Sequence, residues 1–149
     1  MVNDIKRLRE ETSCGVIDCK KALEEAKGDF TKAKDLLRKR GLEMAAKKSD
    51  RVAKEGRVES YIHTGSKIGV MVEVDCETDF VARSEDFCKF TRELAMHIAA
   101  MAPENVEALL KQPFVKEPSK SIQDLLNELV AKIGENTIVS RFVRFKVGE

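Results

Sequence analysis

The sequence predicts an α+β fold in which helices pack on a small antiparallel sheet. Apolar residues recur every three to four positions through 3–40 and 87–101, and every two positions between 57 and 75. A further segment that reads as strand, at 137–147, supplies a third strand. Helices, then a hairpin, then helices and a final strand is an order typical of the α+β class. No internal repeat is visible.

Residues 1–41 are predicted to form a bundle of three short helices. Its apolar positions follow helical spacing and are Ile5, Leu8, Val16, Ile17, Ala22, Leu23, Ala26, Phe30, Ala33, Leu36 and Leu37. Gly28 and Asp29 supply a helix stop followed by a cap, and Gly41 is predicted to end the third helix. Residues 42–55 keep helix-forming residues but lose much of the apolar face, which favours an exposed linker helix.

Residues 56–149 are predicted to form a core domain, a three-stranded antiparallel sheet covered by helices. The first two strands form a hairpin, because Gly65 lies between them and can adopt the positive φ that a tight turn needs. After Cys76 the helical spacing returns and continues to Pro103, which interrupts it. This helix is predicted to cover the hairpin.

The last part of the chain predicts a second copy as a partner. A loop is expected at 113–118, followed by a helix that ends before Gly134 and by the strand at 137–147. That strand carries apolar residues on both faces, around Phe142 on one and Phe145 on the other. One covering helix does not normally hide two apolar faces, so the pattern predicts a homodimer.

Composition narrows the classes of function. The net charge is only +1, whereas a protein that binds nucleic acid through phosphates usually concentrates much more positive charge. No apolar run approaches the roughly 18 residues of a membrane span, and the first residues lack the apolar region of a signal peptide. We therefore expect a cytoplasmic protein that binds neither nucleic acid directly nor a membrane.

Motifs for catalysis, cofactors and metals are absent from the sequence. The four cysteines form no C-x-x-C pair, and neither histidine lies at ligand spacing. No glycine-rich phosphate loop or nucleophile elbow is present. The alternating carboxylates Glu73, Asp75, Glu77 and Asp79 lack the glycine of a calcium loop and are typical of a solvated strand face. An enzyme with a metal on this face is kept as an alternative.

The segment Thr78–Val81 is the candidate binding motif. Thr78 can cap the helix that follows a strand and so project Phe80 at a corner. Residue type alone predicts a buried Phe80, because phenylalanine is commonly in the core. His97 lies in the middle of an apolar helix, where a lone histidine is usually a boundary residue.

Several segments, taken together, resemble the elongation factor Ts family. They are LREETSCGVIDCKKALEEAKGDFTKAKDLLRKRG, YIHTGSKIGVMVEVDCETDFVAR, AMHIAA, QPFV, and AKIGEN with RFVRF. The bundle sequence followed by CETDFVAR, in this order and spacing, is the specific part. The resemblance implies a ubiquitin-associated-like three-helix bundle, a core domain, and a guanine-nucleotide exchange factor for elongation factor Tu in translation elongation.

The resemblance also implies the residues that bind the partner. The Asp79–Phe80 pair, flanked by Thr78 and Val81, is expected to insert between helices of the GTPase domain and to disturb its magnesium and phosphate binding. His97 corresponds to a secondary contact. The contacts of the bundle map onto Leu8, Val16 and Ile17. Helical spacing places those three in or beside the bundle core, so their exposure decides between the two interpretations.

This chain departs from the family pattern in two ways. Long members carry a duplicated core, whereas the CETDF block occurs once here, and short members compensate by pairing. Only about ten residues separate AMHIAA from QPFV, where relatives usually have a longer helical insertion.

An alternative function is a binding module, whose bundle captures ubiquitin-like or other helical partners while the core is structural. A role for Phe80 in GDP release would discriminate between this alternative and the exchange factor.

Overall fold

The structure, a computed structural model, describes residues 1–149 and contains seven helices and five strands. The elements, in chain order, are α1 (Val2–Thr12), α2 (Val16–Glu25), α3 (Phe30–Lys48), β1 (Glu55–Ile62), β2 (Ile68–Cys76), α4 (Asp79–Ala82), α5 (Glu85–Met101), α6 (Val106–Lys111), β3 (Pro113–Phe114), β4 (Glu117–Ser121), α7 (Ile122–Ile133) and β5 (Ile138–Lys146). The mixture of helices and antiparallel sheet confirms the predicted α+β class.

Helices α1 to α3 pack around a small apolar core at the N-terminus. Its buried members are Leu8, Cys19, Ala22, Leu23, Ala26, Ala33 and Leu37. The Asp29 side chain accepts a hydrogen bond from the Lys32 amide at 3.0 Å and thereby caps α3. The three packed helices and this cap agree with the sequence pattern, while the likeness to a ubiquitin-associated domain stays a prediction.

Helix α3 continues past Gly41, so the predicted helix end at this residue is wrong. The helix runs unbroken from Phe30 to Lys48 and contains the first half of the predicted linker helix. Gly41 is buried, and a Cβ atom built on it would lie 4.0 Å from the backbone oxygen of Asn127 in α7. Packing against α7 therefore offsets the roughly 1 kcal/mol that an interior glycine costs a helix.

Polar contacts fasten the bundle to the core domain. The Lys120 ammonium donates to the backbone oxygen of Glu11 at 3.2 Å and pairs with Glu128 at 3.0 Å. Arg38 of α3 lies 3.3 Å from Asp124 of α7. The bundle is thus attached at two places, at the end of α1 and along α3.

Strands β1, β2 and β5 form one antiparallel sheet with β2 in the centre, which confirms the predicted three-stranded sheet. The hairpin turn between β1 and β2 uses positive φ at Gly65 (92°) and Ser66 (59°). On one face of β2, Val70, Val72 and Val74 are buried beneath α5. The other face has no covering helix.

The region predicted as a loop at 113–118 contains strand pairing, and that prediction is wrong. Strands β3 and β4 form a two-stranded antiparallel ribbon. These strands are too short to show the alternation of apolar and polar side chains from which a strand is predicted. Ser121 then caps α7, accepting from the Asp124 amide at 3.1 Å while Asp124 accepts from the Ser121 amide at 3.0 Å.

The main hydrophobic core lies between the sheet and helices α5, α6 and α7. It contains eighteen buried residues, among which Phe87, Leu94, Ile98 and Leu109 are nearly or completely enclosed. The helix predicted to cover the hairpin is α5, which packs Phe87, Phe90, Leu94 and Ile98 into this core and leaves Met101 partly exposed. None of the helices combines the length and the apolar character that crossing a bilayer requires.

Candidate partner-binding site

A short turn after β2 holds Phe80 in solvent. The Thr78 hydroxyl accepts a hydrogen bond from the Val81 amide at 3.3 Å and caps α4, as predicted. Successive residues of a helix point about 100° apart. Val81 and Ala82 therefore point into the core, whereas Phe80 points outward and is 80% exposed. The expectation from residue type, a buried Phe80, is wrong.

The turn is braced by a carboxylate from another part of the chain. Glu135 Oε1 accepts hydrogen bonds from the backbone amides of Glu77 at 3.2 Å and Thr78 at 3.0 Å. The Thr78 hydroxyl donates to Glu135 Oε2 at 2.7 Å. No local sequence pattern marks Glu135 as a brace, although AKIGEN, which contains it, carries part of the family resemblance.

The brace is reciprocal. Glu77 Oε1 accepts from the Asn136 amide at 3.1 Å, so each side of the contact binds the backbone of the other. The Asn136 side-chain amide donates to the backbone oxygen of Arg51 at 2.7 Å. Arg51 also lies 3.7 Å from Glu77. These contacts join the segment after α3, the Phe80 turn and the loop before β5.

Asp79 lies beside Phe80 at the first position of α4. It forms an ion pair with Arg83 at 3.0 Å, and both side chains are more than half exposed. An exposed ion pair contributes about 0 to 1 kcal/mol and opens readily. The Asp79 carboxylate is therefore accessible to a partner next to the Phe80 ring.

The three bundle residues proposed as contacts divide into two groups. Val16 and Ile17, at the start of α2, are 50% and 68% exposed. Leu8 has no exposed surface and packs inside the bundle core. A completely buried side chain does not touch a partner directly, so Leu8 is reassigned from contact residue to core residue. Val16 and Ile17 are exposed and therefore remain the candidate contact residues on the bundle.

His97 is completely buried, so neither a surface contact nor a boundary position describes it. The Val115 amide donates to its Nδ1 at 3.2 Å, which leaves Nε2 to donate to Gln112 Oε1 at 2.9 Å. Burial lowers the pKa of His97, and the hydrogen bond that the ring donates to Gln112 opposes this only in part. The neutral ring connects α5 to the β3–β4 ribbon.

The row of carboxylates along β2 does not converge on one point. Glu73 pairs with Arg141, while Glu77 and Asp79 have the separate partners described above. Burial, together with the neighbouring Glu73, raises the pKa of Asp75. No group of three or more His, Cys, Asp or Glu side chains is placed to hold a metal ion.

A second exposed apolar surface covers the outer face of the sheet. We call this surface the outer sheet face, and its apolar side chains are Val58, Ile62, Met71, Val143 and Phe145. Gly69 lies between Ile62 and Phe145 across the strands, and the Ile62 side chain leans over it, because a Cβ atom built on Gly69 would lie 3.0 Å from Ile62 Cδ1. Contiguous exposed apolar surfaces of this kind are typical of interaction sites.

An exposed aromatic ring on a braced turn, with further apolar surfaces elsewhere, is typical of proteins that act by binding other proteins. The family model described as "Elongation factor TS" matches residues 17–107 and 77–149. This chain belongs to the elongation factor Ts family, which confirms the resemblance.

Individual relatives agree over nearly the whole chain. Elongation factor Ts of Carboxydothermus hydrogenoformans is 44% identical, covering 97% of this chain and 88% of that protein. The Desulfotalea psychrophila protein of the same name is 44% identical, with 97% and 96% covered. The one from an Anaeromyxobacter species is 46% identical, with 99% and 88% covered.

The relatives contain residues that this chain lacks. The three alignments extend over 190, 189 and 192 positions, whereas the chain has 149 residues. A shortened segment between Ala100 and Gln112 is the predicted place of this difference. Helix α6 and a few residues around it occupy that segment here.

Proposed function

We propose that this chain is a guanine-nucleotide exchange factor that binds elongation factor Tu carrying GDP and accelerates GDP release during translation elongation. The observation that carries the proposal is Phe80, which is 80% exposed although its turn is held in place by Glu135. Aromatic side chains that a partner covers are frequent hot spots of protein interfaces. Membership of a family whose members are named elongation factor Ts supports the role in translation.

In the proposed complex, Phe80 inserts between helices of the partner's GTPase domain with Asp79 beside it. A GTPase holds its nucleotide through a phosphate-binding loop and a magnesium ion. A small displacement of that loop weakens several charge-assisted hydrogen bonds at once. The coupling is reciprocal: a factor that favours the nucleotide-free partner is itself weakened to the same degree when nucleotide rebinds. GTP therefore displaces the factor.

The bundle supplies a second contact in this proposal, through Val16 and Ile17. Two contacts on one folded chain increase affinity because the second forms at a high effective concentration. Thr78 and Val81 support Phe80 from its own side, as cap and as core anchor. Leu8 and His97 act only through the fold, since neither has exposed surface.

The test is release of labelled GDP from elongation factor Tu with the Phe80→Ala variant. The variant should fold normally and stimulate release about thirtyfold less, because a hot-spot aromatic contributes about 2 kcal/mol or more. Met101→Ala is the matched control, since it truncates a partly exposed apolar side chain on another surface. Unchanged release by Phe80→Ala would contradict the proposed mechanism and favour the alternative in which the bundle alone binds a partner.

We also propose that two copies of the chain pair through the outer sheet face. The support for this pairing is the exposed apolar surface around Met71 and Phe145, which nothing in the single chain covers. Light scattering should give a dimer mass, and Met71→Glu should shift the mass towards a monomer, whereas Val52→Glu, a control on the segment after α3, should not. A monomer mass at all concentrations would contradict the dimer.

The proposed function places the chain in the cytoplasm and requires from it no bond-making step, cofactor, metal, nucleic acid or membrane. Elemental analysis of the purified protein tests the expected absence of a metal, and we expect no stoichiometric metal. A bound metal that the Glu73→Gln and Asp75→Asn variants lose would instead support the enzyme alternative.

A further inference from the structure

We propose that Glu135 is a positioning residue for nucleotide exchange, which fixes the turn from which Phe80 projects; this inference rests on the proposed function. Its carboxylate accepts three hydrogen bonds from two consecutive residues, Glu77 and Thr78. These two residues are the entire connection between the end of β2 and the start of α4. One side chain therefore controls the direction in which α4 leaves the sheet.

The backbone of this connection depends on Glu135 for its hydrogen bonds. Neither the Glu77 amide nor the Thr78 amide donates to a backbone oxygen, and both donate to Glu135 Oε1. An ionised acceptor makes such bonds shorter and stronger than a neutral one does. Without the carboxylate, both amides would need new partners, and the connection could adopt other conformations.

Glu135 also orients the helix cap. The Thr78 hydroxyl has one hydrogen, which it donates to Glu135 Oε2 at 2.7 Å. This leaves its lone pairs to accept from the Val81 amide, the bond that starts α4. Removing Glu135 frees the hydroxyl to rotate, so the first turn of α4 loses both its entry angle and a defined cap.

The backbone sets the direction of the Phe80 ring, because the ring packs against little of its own chain. With 80% of the side chain exposed, few neighbours contact the ring, and its orientation follows from the backbone of α4. A ring that must insert between helices of a partner binds best when it is held beforehand in the bound direction. Preorganisation by Glu135 thus adds to exchange without Glu135 touching the partner.

A double-mutant cycle measures this coupling with the full-length chain and elongation factor Tu. Glu135→Ala should reduce stimulation of GDP release about tenfold through loss of its hydrogen bonds. On the Phe80→Ala background the same change should have less than about a twofold effect, because Glu135 acts through the ring. Glu135→Gln keeps one carbonyl oxygen for the two amides but loses the acceptor for the Thr78 hydroxyl, so it should retain more activity than Glu135→Ala and less than the wild type.

The matched control is Glu107→Ala. Glu107 is also a glutamate, but its side chain is 80% exposed, it pairs only with Lys111, and it lies in α6. It should leave GDP release unchanged. A tenfold loss from Glu135→Ala that persists on the Phe80→Ala background, or no loss from Glu135→Ala, would overturn the positioning role.

A fluorescence measurement tests positioning without the partner. The chain contains no tryptophan, so Phe80→Trp places a single reporter at the exposed site. The ring should show higher anisotropy with Glu135 present than in the Phe80→Trp/Glu135→Ala double variant. Equal anisotropy would contradict positioning, even if Phe80→Ala abolishes exchange. If Phe80→Ala leaves exchange intact but the anisotropies differ, the proposed function fails while the brace itself is confirmed.

Discussion

The turn after β2 exposes an apolar ring, whereas the junction between α5 and the β3–β4 ribbon buries a titratable one. Phe80 is 80% exposed and His97 has no exposed surface. His97 tolerates burial because both of its ring nitrogens have partners. Phe80 can remain outside because Thr78 and Glu135 satisfy the hydrogen-bonding groups of its turn. Hydrogen-bond satisfaction, more than side-chain hydropathy, distinguishes these two sites.

The bundle also contains one buried and one exposed residue to compare, Leu8 and Ile17, and it gives the largest predicted effect on the free energy of unfolding. Leu8→Ala removes a fully buried side chain and should lower the free energy of unfolding by about 2 to 5 kcal/mol. Ile17→Ala, at an exposed position one helix later, should change it by less than about 0.5 kcal/mol. Urea unfolding measures both. Similar losses for the two variants would mean that the bundle core is not packed around Leu8.

His97→Ala should lower the free energy of unfolding by about 3 kcal/mol. The substitution leaves a cavity and removes the partners of the Val115 amide and the Gln112 side chain. Any remaining folded protein should still stimulate GDP release when activity is compared at equal folded concentration. His63→Ala is the control, since His63 lies on the exposed hairpin turn. A His97 variant that is stable but inactive would make His97 a contact after all.

The same histidine predicts a dependence of stability on pH. Burial lowers the pKa of His97 in the folded state, so the unfolded state binds the proton more readily. The stability contribution is complete above the ordinary value of 6.5 and is lost as the pH falls below it. The slope is at most about 1.4 kcal/mol per pH unit. Unfolding of wild type and His97→Gln should diverge in this range; parallel curves would contradict the burial.

Phe80→Ala should have the smallest effect on stability, a change within about 0.5 kcal/mol. The ring is mostly in water, so little buried apolar area is lost. Thermal unfolding measures the change alongside GDP release. A loss of 2 kcal/mol or more would show that Phe80 packs against its own chain and would remove the contrast with His97.

Sequence patterns identified most of the fold because its main elements have strong local signals. The apolar stripe of α5 and the hairpin glycine, Gly65, both lie where the pattern predicts. The prediction at Gly41 is wrong because the stop signal of a glycine is local. Gly41 lies inside α3 because it packs against the backbone of α7, which is far away in the sequence. The β3–β4 ribbon was missed since two short strands leave no readable period.

The site was only partly predictable for the same reason. The Thr78 cap follows from three neighbouring residues, and the sequence identifies it correctly. The brace from Glu135 connects positions that are far apart in the chain, and no local pattern marks a carboxylate that accepts backbone amides. The resemblance implies contact roles for Leu8 and His97 but carries no information on their exposure, and the structure buries both side chains.

The distance along the chain between Thr78 and Glu135, 57 residues, has a consequence for biosynthesis. A growing chain of about 130 residues already contains Phe80 and the exposed residues of α2, but it contains neither the carboxylate nor β5. Long-range contacts of this kind form late in folding because the intervening loop must close first. An unfinished chain therefore displays the ring without its support, and under the proposed function it cannot present Phe80 in a fixed direction until Glu135 has been made.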